Sequence, residues 1–75
     1  METVLEILRG LHPEIDFENC DTLIDDKILD SFDIVSIISD LNDEFDITIP
    51  ADEIIPKNFN SARAIYAMVE RLMEE

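Results

Sequence analysis

The chain has 75 residues, of which 47% are hydrophobic, and its 19 acidic and five basic residues give a formal net charge of −14. A chain this short buries only about 60–65% of its unfolded surface, which leaves little room for a deep catalytic cleft. Its negative field disfavours binding to nucleic acid and to anionic lipid, because such binding depends on Lys and Arg. We therefore expect one domain over residues 1–75 that is not an enzyme and that meets basic protein surfaces.

The N-terminus and the cysteine content predict a cytoplasmic protein. Met1-Glu2-Thr3 lacks the basic and apolar regions of a signal peptide. No apolar run approaches the roughly 20 residues needed to cross a bilayer, so we expect no membrane insertion. Cys20 is the single cysteine and has no internal disulfide partner, so we interpret it as a semi-buried loop residue.

The first predicted helix begins near Thr3, which has capping-box spacing to Glu6. Pro13 prevents the helix from continuing beyond His12. We expect His12, the only histidine, to be an exposed C-terminal cap favoured by the helix dipole, not a catalytic base. The apolar positions of this helix recur at helical period: Val4, Ile7, Leu8 and Leu11.

Residues 13–30 form a long connection that is not a solvated tether. Acidic side chains alternate in it with apolar ones, which we expect to pack across the bundle. Those apolar residues are Ile15, Phe17, Leu23, Ile24, Ile28 and Leu29.

The second predicted helix runs from Ser31 or Phe32 to about Phe45 and separates apolar from acidic residues. Phe32 and Val35 lie outside the apolar arc, which is typical of a docking surface. For Phe32, packing back under the loop is an equal alternative. The apolar arc contains Ile34, Ile38, Leu41 and Phe45, with Ile37 at its edge, and the opposite side contains Asp33, Ser36, Asp40, Asp43 and Glu44.

After this helix the pattern predicts an extended link and then a short helix. Ile47-Thr48-Ile49-Pro50 alternates but is too short to form a sheet by itself. Residues 51–55 can form one helical turn, which Pro50 starts and Pro56 ends.

The last predicted helix begins at Asn60 or Ser61, both good caps, and ends at about Leu72 or Glu74. Its apolar stripe consists of Ile65, Met68, Val69 and Leu72. Three substantial helices and a short third one predict an all-α fold, a small four-helix bundle with a long first loop.

The segment Asp30-Ser31-Phe32-Asp33 lies where the long connection meets the second helix. A serine there has its hydroxyl in water and its backbone at the positive end of a helix, where a phosphate ester would meet free N–H groups. His12 is nineteen positions earlier and has no evident triad partner, so no base is in place to activate Ser31. The segment favours an attachment point, although an ordinary N-cap explains these residues equally well.

With its helices placed, the chain resembles the acyl carrier proteins, including peptidyl and D-alanyl carriers, over nearly its whole length. The resemblance depends on four segments in order: Leu23-Ile24-Asp25-Asp26, Asp30-Ser31-Phe32-Asp33, Asp43-Glu44-Phe45-Asp46 and Ile47-Thr48-Ile49-Pro50.

The resemblance implies that Ser31 carries 4′-phosphopantetheine, transferred from coenzyme A by a phosphopantetheinyl transferase, with Asp30 and Phe32 beside the attachment point. The thiol of that arm would hold an acyl or aminoacyl group as a thioester. An acyl- or aminoacyl-activating ligase would load it, and a downstream acyltransferase or synthase would accept it. The chain would act as a stand-alone, monomeric carrier.

The resemblance also implies a partner-binding face on and near the second helix. A plain solvated face is the alternative for its acidic members, and core packing is the alternative for Ile54. The expected partner-binding residues are Asp33, Val35, Ser36, Asp40, Asp43, Glu44 and Ile54.

Three residues depart from the commoner fatty-acid carriers. Phe32 stands where Leu or Met is usual, and Ser36 and Ser39 replace an acidic and an apolar residue. The pathway therefore stays open among fatty-acid, polyketide, peptidyl and D-alanyl systems.

Three other classes of function fit the sequence less well than a carrier does. An unmodified acidic adaptor is the strongest alternative, because it needs only the negative field. A calcium-binding EF-hand loop needs a central glycine, and no glycine follows Gly10. A hydrolase using Ser31 is the least favoured, because it lacks a base and an oxyanion arrangement.

Overall fold

The computed structural model describes residues 1–74, and these residues form four α-helices without a β-strand, as the sequence predicted. Among them, no helix has both the length and the apolar content that crossing a bilayer requires. The helices are α1 (Glu2–Leu11), α2 (Ser31–Phe45), α3 (Pro56–Phe59) and α4 (Ala62–Glu74), and a 3-10 turn (Ala51–Glu53) precedes α3.

The core lies where α1, α2 and α4 pack against one another. α1 contributes Val4, Leu5 and Leu8. The long connection also reaches this core, because Phe17, Leu23 and Leu29 are buried in it. The prediction that the connection packs across the bundle is therefore confirmed.

The apolar arc of α2 is rotated from the predicted one. Ile37, which was placed at the edge, is completely buried together with Leu41, whereas Ile34 and Ile38 are only half-buried. The rotation follows from unequal neighbours, because α1 and α4 cover one side of α2 and the four-residue α3 segment borders the other.

One predicted cap was wrong, and one short helix was not predicted. α1 begins at Glu2 after Met1 without a side-chain cap, so the capping box between Thr3 and Glu6 does not form. The predicted turn over residues 51–55 forms as the 3-10 turn Ala51–Glu53, which follows Pro50 and ends before Pro56. The helix that was not predicted is α3, which begins at Pro56 because proline is favoured at the first helical position, where its missing N–H costs nothing.

Asn60 and Ser61, the two candidate caps of α4, divide their roles. Ser61 is the cap, and its Oγ accepts a hydrogen bond from the Ala64 N–H at 3.0 Å. Asn60 instead fastens the long connection, because its Oδ1 accepts the N–H groups of Ile24 and Asp25, both at 3.0 Å. An amide side chain can satisfy two backbone donors that lie outside any helix.

The predicted extended link over residues 47–50 is confirmed, and Asn42 fixes it to the end of α2. The Asn42 carbonyl accepts the Ile47 N–H, and the Asn42 Oδ1 accepts the Ile49 N–H, both at 3.2 Å. Ile49 is thereby buried in the core.

Candidate functional site at the start of α2

Ser31 is the first residue of α2 and is exposed, while its neighbour Asp30 is the N-cap. The Asp30 Oδ1 accepts the Asp33 N–H at 3.0 Å, and the Asp33 Oδ2 accepts the Asp30 N–H at 3.2 Å. This reciprocal capping box satisfies two donors at the helix start. The alternative that Ser31 is an ordinary N-cap is therefore wrong, because Asp30 has that role.

His12 packs against this cap and is half-buried, contrary to the prediction of an exposed residue. Its Nε2 is buried and lies 2.9 Å from the Asp33 Oδ2, and its Nδ1 lies 3.2 Å from the Glu14 Oε1. The first contact is not aligned as a hydrogen bond and is an ion pair when His12 is protonated. The His12 backbone does cap α1 as predicted, because its N–H donates to the Leu8 carbonyl at 3.0 Å.

The same contact corrects the placement of Asp33 in the exposed acidic face. Its side chain is only 18% exposed and is shared between the cap and His12. No local pattern in the sequence signals this pair, because its members are 21 positions apart, with His12 just after α1 and Asp33 in α2.

The pair changes the ionisation of both side chains. The Asp33 carboxylate raises the pKa of His12 above its usual 6.5, against the effect of burial, and Glu14 adds to the rise. Burial by itself would raise the pKa of Asp33, but His12 and the Asp30 N–H outweigh it and hold that pKa below 3.8. Both ring nitrogens of His12 therefore face carboxylates, an arrangement that does not make it a base for Ser31.

An apolar groove of about 370 Å³ runs beside Ser31, between α2 and the α3 segment. Ile54 lies on its wall and is 40% exposed, so the core-packing alternative for this residue is wrong. The groove is lined by Ile24, Ser31, Ile34, Val35, Ile38, Ile54, Ile55, Pro56 and Phe59.

Two apolar side chains of α2 project into solvent next to this groove. Phe32 is 84% exposed and Val35 is 65% exposed, so Phe32 does not fold back under the loop. Their helix position explains this, because the core contact of α2 is made through Ile37 and Leu41. Of the predicted polar contacts, Ser36 is half-buried, and the exposed acidic residues are Asp40, Asp43 and Glu44.

The site combines an exposed hydroxyl at a helix N-terminus with an adjoining apolar groove. Such a hydroxyl can carry a phosphodiester, whose charge is stabilised by the helix N–H groups, and the groove can shelter an apolar segment attached to it. Within residues 1–74, no three His, Cys, Asp or Glu side chains are grouped to hold a metal ion.

Comparison with known proteins gives a family match over most of the chain. The sequence model of the family described as "Phosphopantetheine attachment site" matches residues 2–69. Two D-alanyl carrier proteins of Streptococcus suis, from strains 05ZYH33 and 98HAH33, are 37% and 36% identical to the chain over 73 residues. Each alignment covers 96% of this chain and 92% of the relative. No solved structure matches the chain significantly.

Proposed function

The chain belongs to the phosphopantetheine attachment family of carrier proteins, and we propose that Ser31 is the residue that bears its 4′-phosphopantetheine arm. One observation supports this assignment most directly. Among the four serines of the sequence, Ser31 alone is exposed at the start of a long helix and lies on the rim of the apolar groove. Ser36 and Ser39 lie within α2, and Ser61 caps α4.

The family determines what Ser31 would do. The arm supplies a terminal thiol that holds an acyl or aminoacyl group as a thioester, which keeps its carbonyl electrophilic. A flexible tether also gives the bound group a high effective concentration in a partner's active site. Because His12 is engaged by Asp33 and Glu14, Ser31 acts as an attachment point and not as a nucleophile, and the chemistry belongs to partner enzymes.

The similarity to D-alanyl carrier proteins supports an aminoacyl cargo, and D-alanine is the first cargo to test. The proposed partners are the phosphopantetheinyl transferase, a ligase that activates the amino acid, and an acyltransferase that accepts it. No observation supports the alternative of an unmodified acidic adaptor.

We place the docking face of these partners on the exposed side of α2. Phe32 and Val35 supply apolar contact beside Ser31, and Asp40, Asp43 and Glu44 supply negative charge further along the helix. Such an arrangement suits weak, reversible and salt-sensitive association with basic surfaces that surround an apolar pocket. Asp33 would contribute indirectly, through the shape of the first turn.

The test of attachment is intact-protein mass spectrometry after incubation with coenzyme A and a broad-specificity phosphopantetheinyl transferase. We expect the chain to gain the mass of one phosphopantetheine, Ser31→Ala to gain none, and the matched control Ser39→Ala, at an exposed serine of the same helix, to gain it normally. Modification of Ser31→Ala, or no modification of the unaltered chain by several transferases, would refute the assignment of Ser31. Incubating the modified chain with ATP, a D-alanine-activating ligase and D-alanine or a fatty acid then identifies the cargo.

A further inference from the structure

The first turn of α2 concentrates negative charge. The helix contains four acidic residues and no basic residue, and its N-cap Asp30 is acidic as well. A phosphodiester on Ser31 would add a negative charge to the turn that already contains Asp30 and Asp33. The helix N-terminus stabilises one such charge, but neighbouring carboxylates repel it. A cation beside this turn would therefore offset the repulsion between the carboxylates and the phosphodiester.

His12 is the basic side chain that contacts this turn. Its Nε2 lies 2.9 Å from the Asp33 Oδ2, and Asp33 in turn accepts the N–H of Asp30, which directly precedes Ser31. The other ion pairs formed by basic residues, Arg9 with Glu18 and Arg71 with Glu53, lie elsewhere in the described chain. A continuous path of contacts therefore leads from the end of α1 to the candidate attachment point.

Both partners occupy the helix end that favours their charge. His12 follows the C-terminus of α1, where the helix dipole stabilises a cation, and Asp33 is in the first turn of α2, where it stabilises an anion. The pair is also shielded, since the His12 side chain is 27% exposed and that of Asp33 is 18% exposed. Screening by salt is weaker here than for a pair in open solvent.

We propose that protonated His12, acting through Asp33, is a positioning residue for Ser31 and makes its presentation to the transferase depend on pH. This inference rests on the proposed attachment at Ser31. When His12 is charged, it ties the end of α1 to the first turn of α2. When it is neutral, the ion pair is lost and the turn retains only the Asp30–Asp33 cap.

The charged groups that face His12 are consistent with this role. Asp33 faces it from α2 and Glu14 from the connection, and Asp30 lies behind Asp33. All three are carboxylates, so each favours the protonated ring. Accordingly, Asp33 and Glu14 raise the pKa of His12. Attachment of a phosphodiester at Ser31 would raise this pKa further.

The test is the ratio of transferase kcat/KM for the unaltered chain to that for His12→Gln, measured at about pH 6 and about pH 8.5. Taking the ratio removes the pH dependence of the transferase itself. We expect a ratio of about three to ten at the lower pH, where the ion pair is present, and a ratio near one at the higher pH, where it is lost. His12→Lys, which stays charged at both, should show no pH-dependent loss.

Arg9→Gln is the matched control, because it removes the same charge from α1 at an exposed pair with Glu18. It should give a ratio near one at both pH values. A second measurement follows the His12 imidazole by NMR, and its midpoint should fall in Asp33→Asn. A His12→Gln ratio that does not change with pH, or an unchanged midpoint in Asp33→Asn, would overturn the proposal.

The failure of this inference can be distinguished from failure of the proposed function. If the unaltered chain accepts phosphopantetheine at Ser31 but the ratio is flat, only the positioning role of His12 is wrong. If the chain accepts none, or Ser31→Ala still accepts it, the attachment assignment is wrong and the positioning role falls with it.

Discussion

The two sides of α2 have opposite surroundings. On one side, Ile37 and Leu41 are completely buried against α1 and α4. On the other, Phe32 and Val35 are 84% and 65% exposed beside an open groove. One helix therefore provides core packing with one side and an accessible apolar surface with the other.

The difference has an energetic meaning. Burying a large apolar side chain stabilises a fold by about 1.5–3 kcal/mol. Most of this stabilisation is absent for Phe32, because its side chain is exposed. Because α3 has only four residues, it leaves the groove open beside Ser31. An apolar patch retained next to a proposed attachment site is typical of a surface that is covered only when a partner binds.

The largest expected effect distinguishes the two sides directly. Ile37→Ala should reduce the free energy of unfolding by about 2–5 kcal/mol, because it leaves a cavity in the core. Val35→Ala, two residues away, should change it by less than about 0.5 kcal/mol. Urea denaturation at neutral pH measures both. Equal losses for the two variants would mean that Val35 packs as Ile37 does, and the contrast between the sides would disappear.

A smaller effect concerns the hydrogen bonds that hold Ile24, which lines the groove, to Asn60. Asn60→Ala should cost about 1–3 kcal/mol, because it leaves the N–H groups of Ile24 and Asp25 without their acceptor. Ile24 lines the groove, so its amide should also exchange hydrogen faster. The control is Asn19→Ala, which removes only an exposed bond to Asp16 and should be nearly neutral. A loss in Asn60→Ala no greater than in this control would refute the fastening role.

The smallest expected effect is the pH dependence of stability from the pair at the start of α2. The folded-state pKa of His12 is raised, so its contribution is complete below pH 6.5 and is lost as pH rises through the higher value. The folded-state pKa of Asp33 is lowered, so its contribution is complete above pH 3.8 and is lost as pH falls through the lower value.

The difference in unfolding free energy between the unaltered chain and His12→Gln should therefore be greatest between these limits. It should amount to no more than about 1 kcal/mol. Denaturation curves collected across pH measure it, with Arg9→Gln as a control whose difference should not follow the same profile. A difference that grows as pH rises above the His12 pKa would have the wrong sign for the ion pair.

The helices and the position of Ser31 were predictable because their signals are local. Apolar periodicity, the proline at residue 13 and the acidic residues around Ser31 all act within a few positions along the chain. The turn that ends before Pro56 was predicted correctly, but α3 was not, because a proline that ends one turn can also begin the next and only the backbone shows whether it does.

By itself, the sequence determined a small, strongly acidic helical chain with a serine at the start of its acidic helix. The tertiary structure decided which side of α2 is buried, that His12 pairs with Asp33, and that Asn60 holds Ile24 across 36 positions. The physical reason is the range of the interactions. Helix periodicity and capping depend on neighbours three or four residues apart, whereas burial and ion pairing depend on which helices meet after the chain has folded.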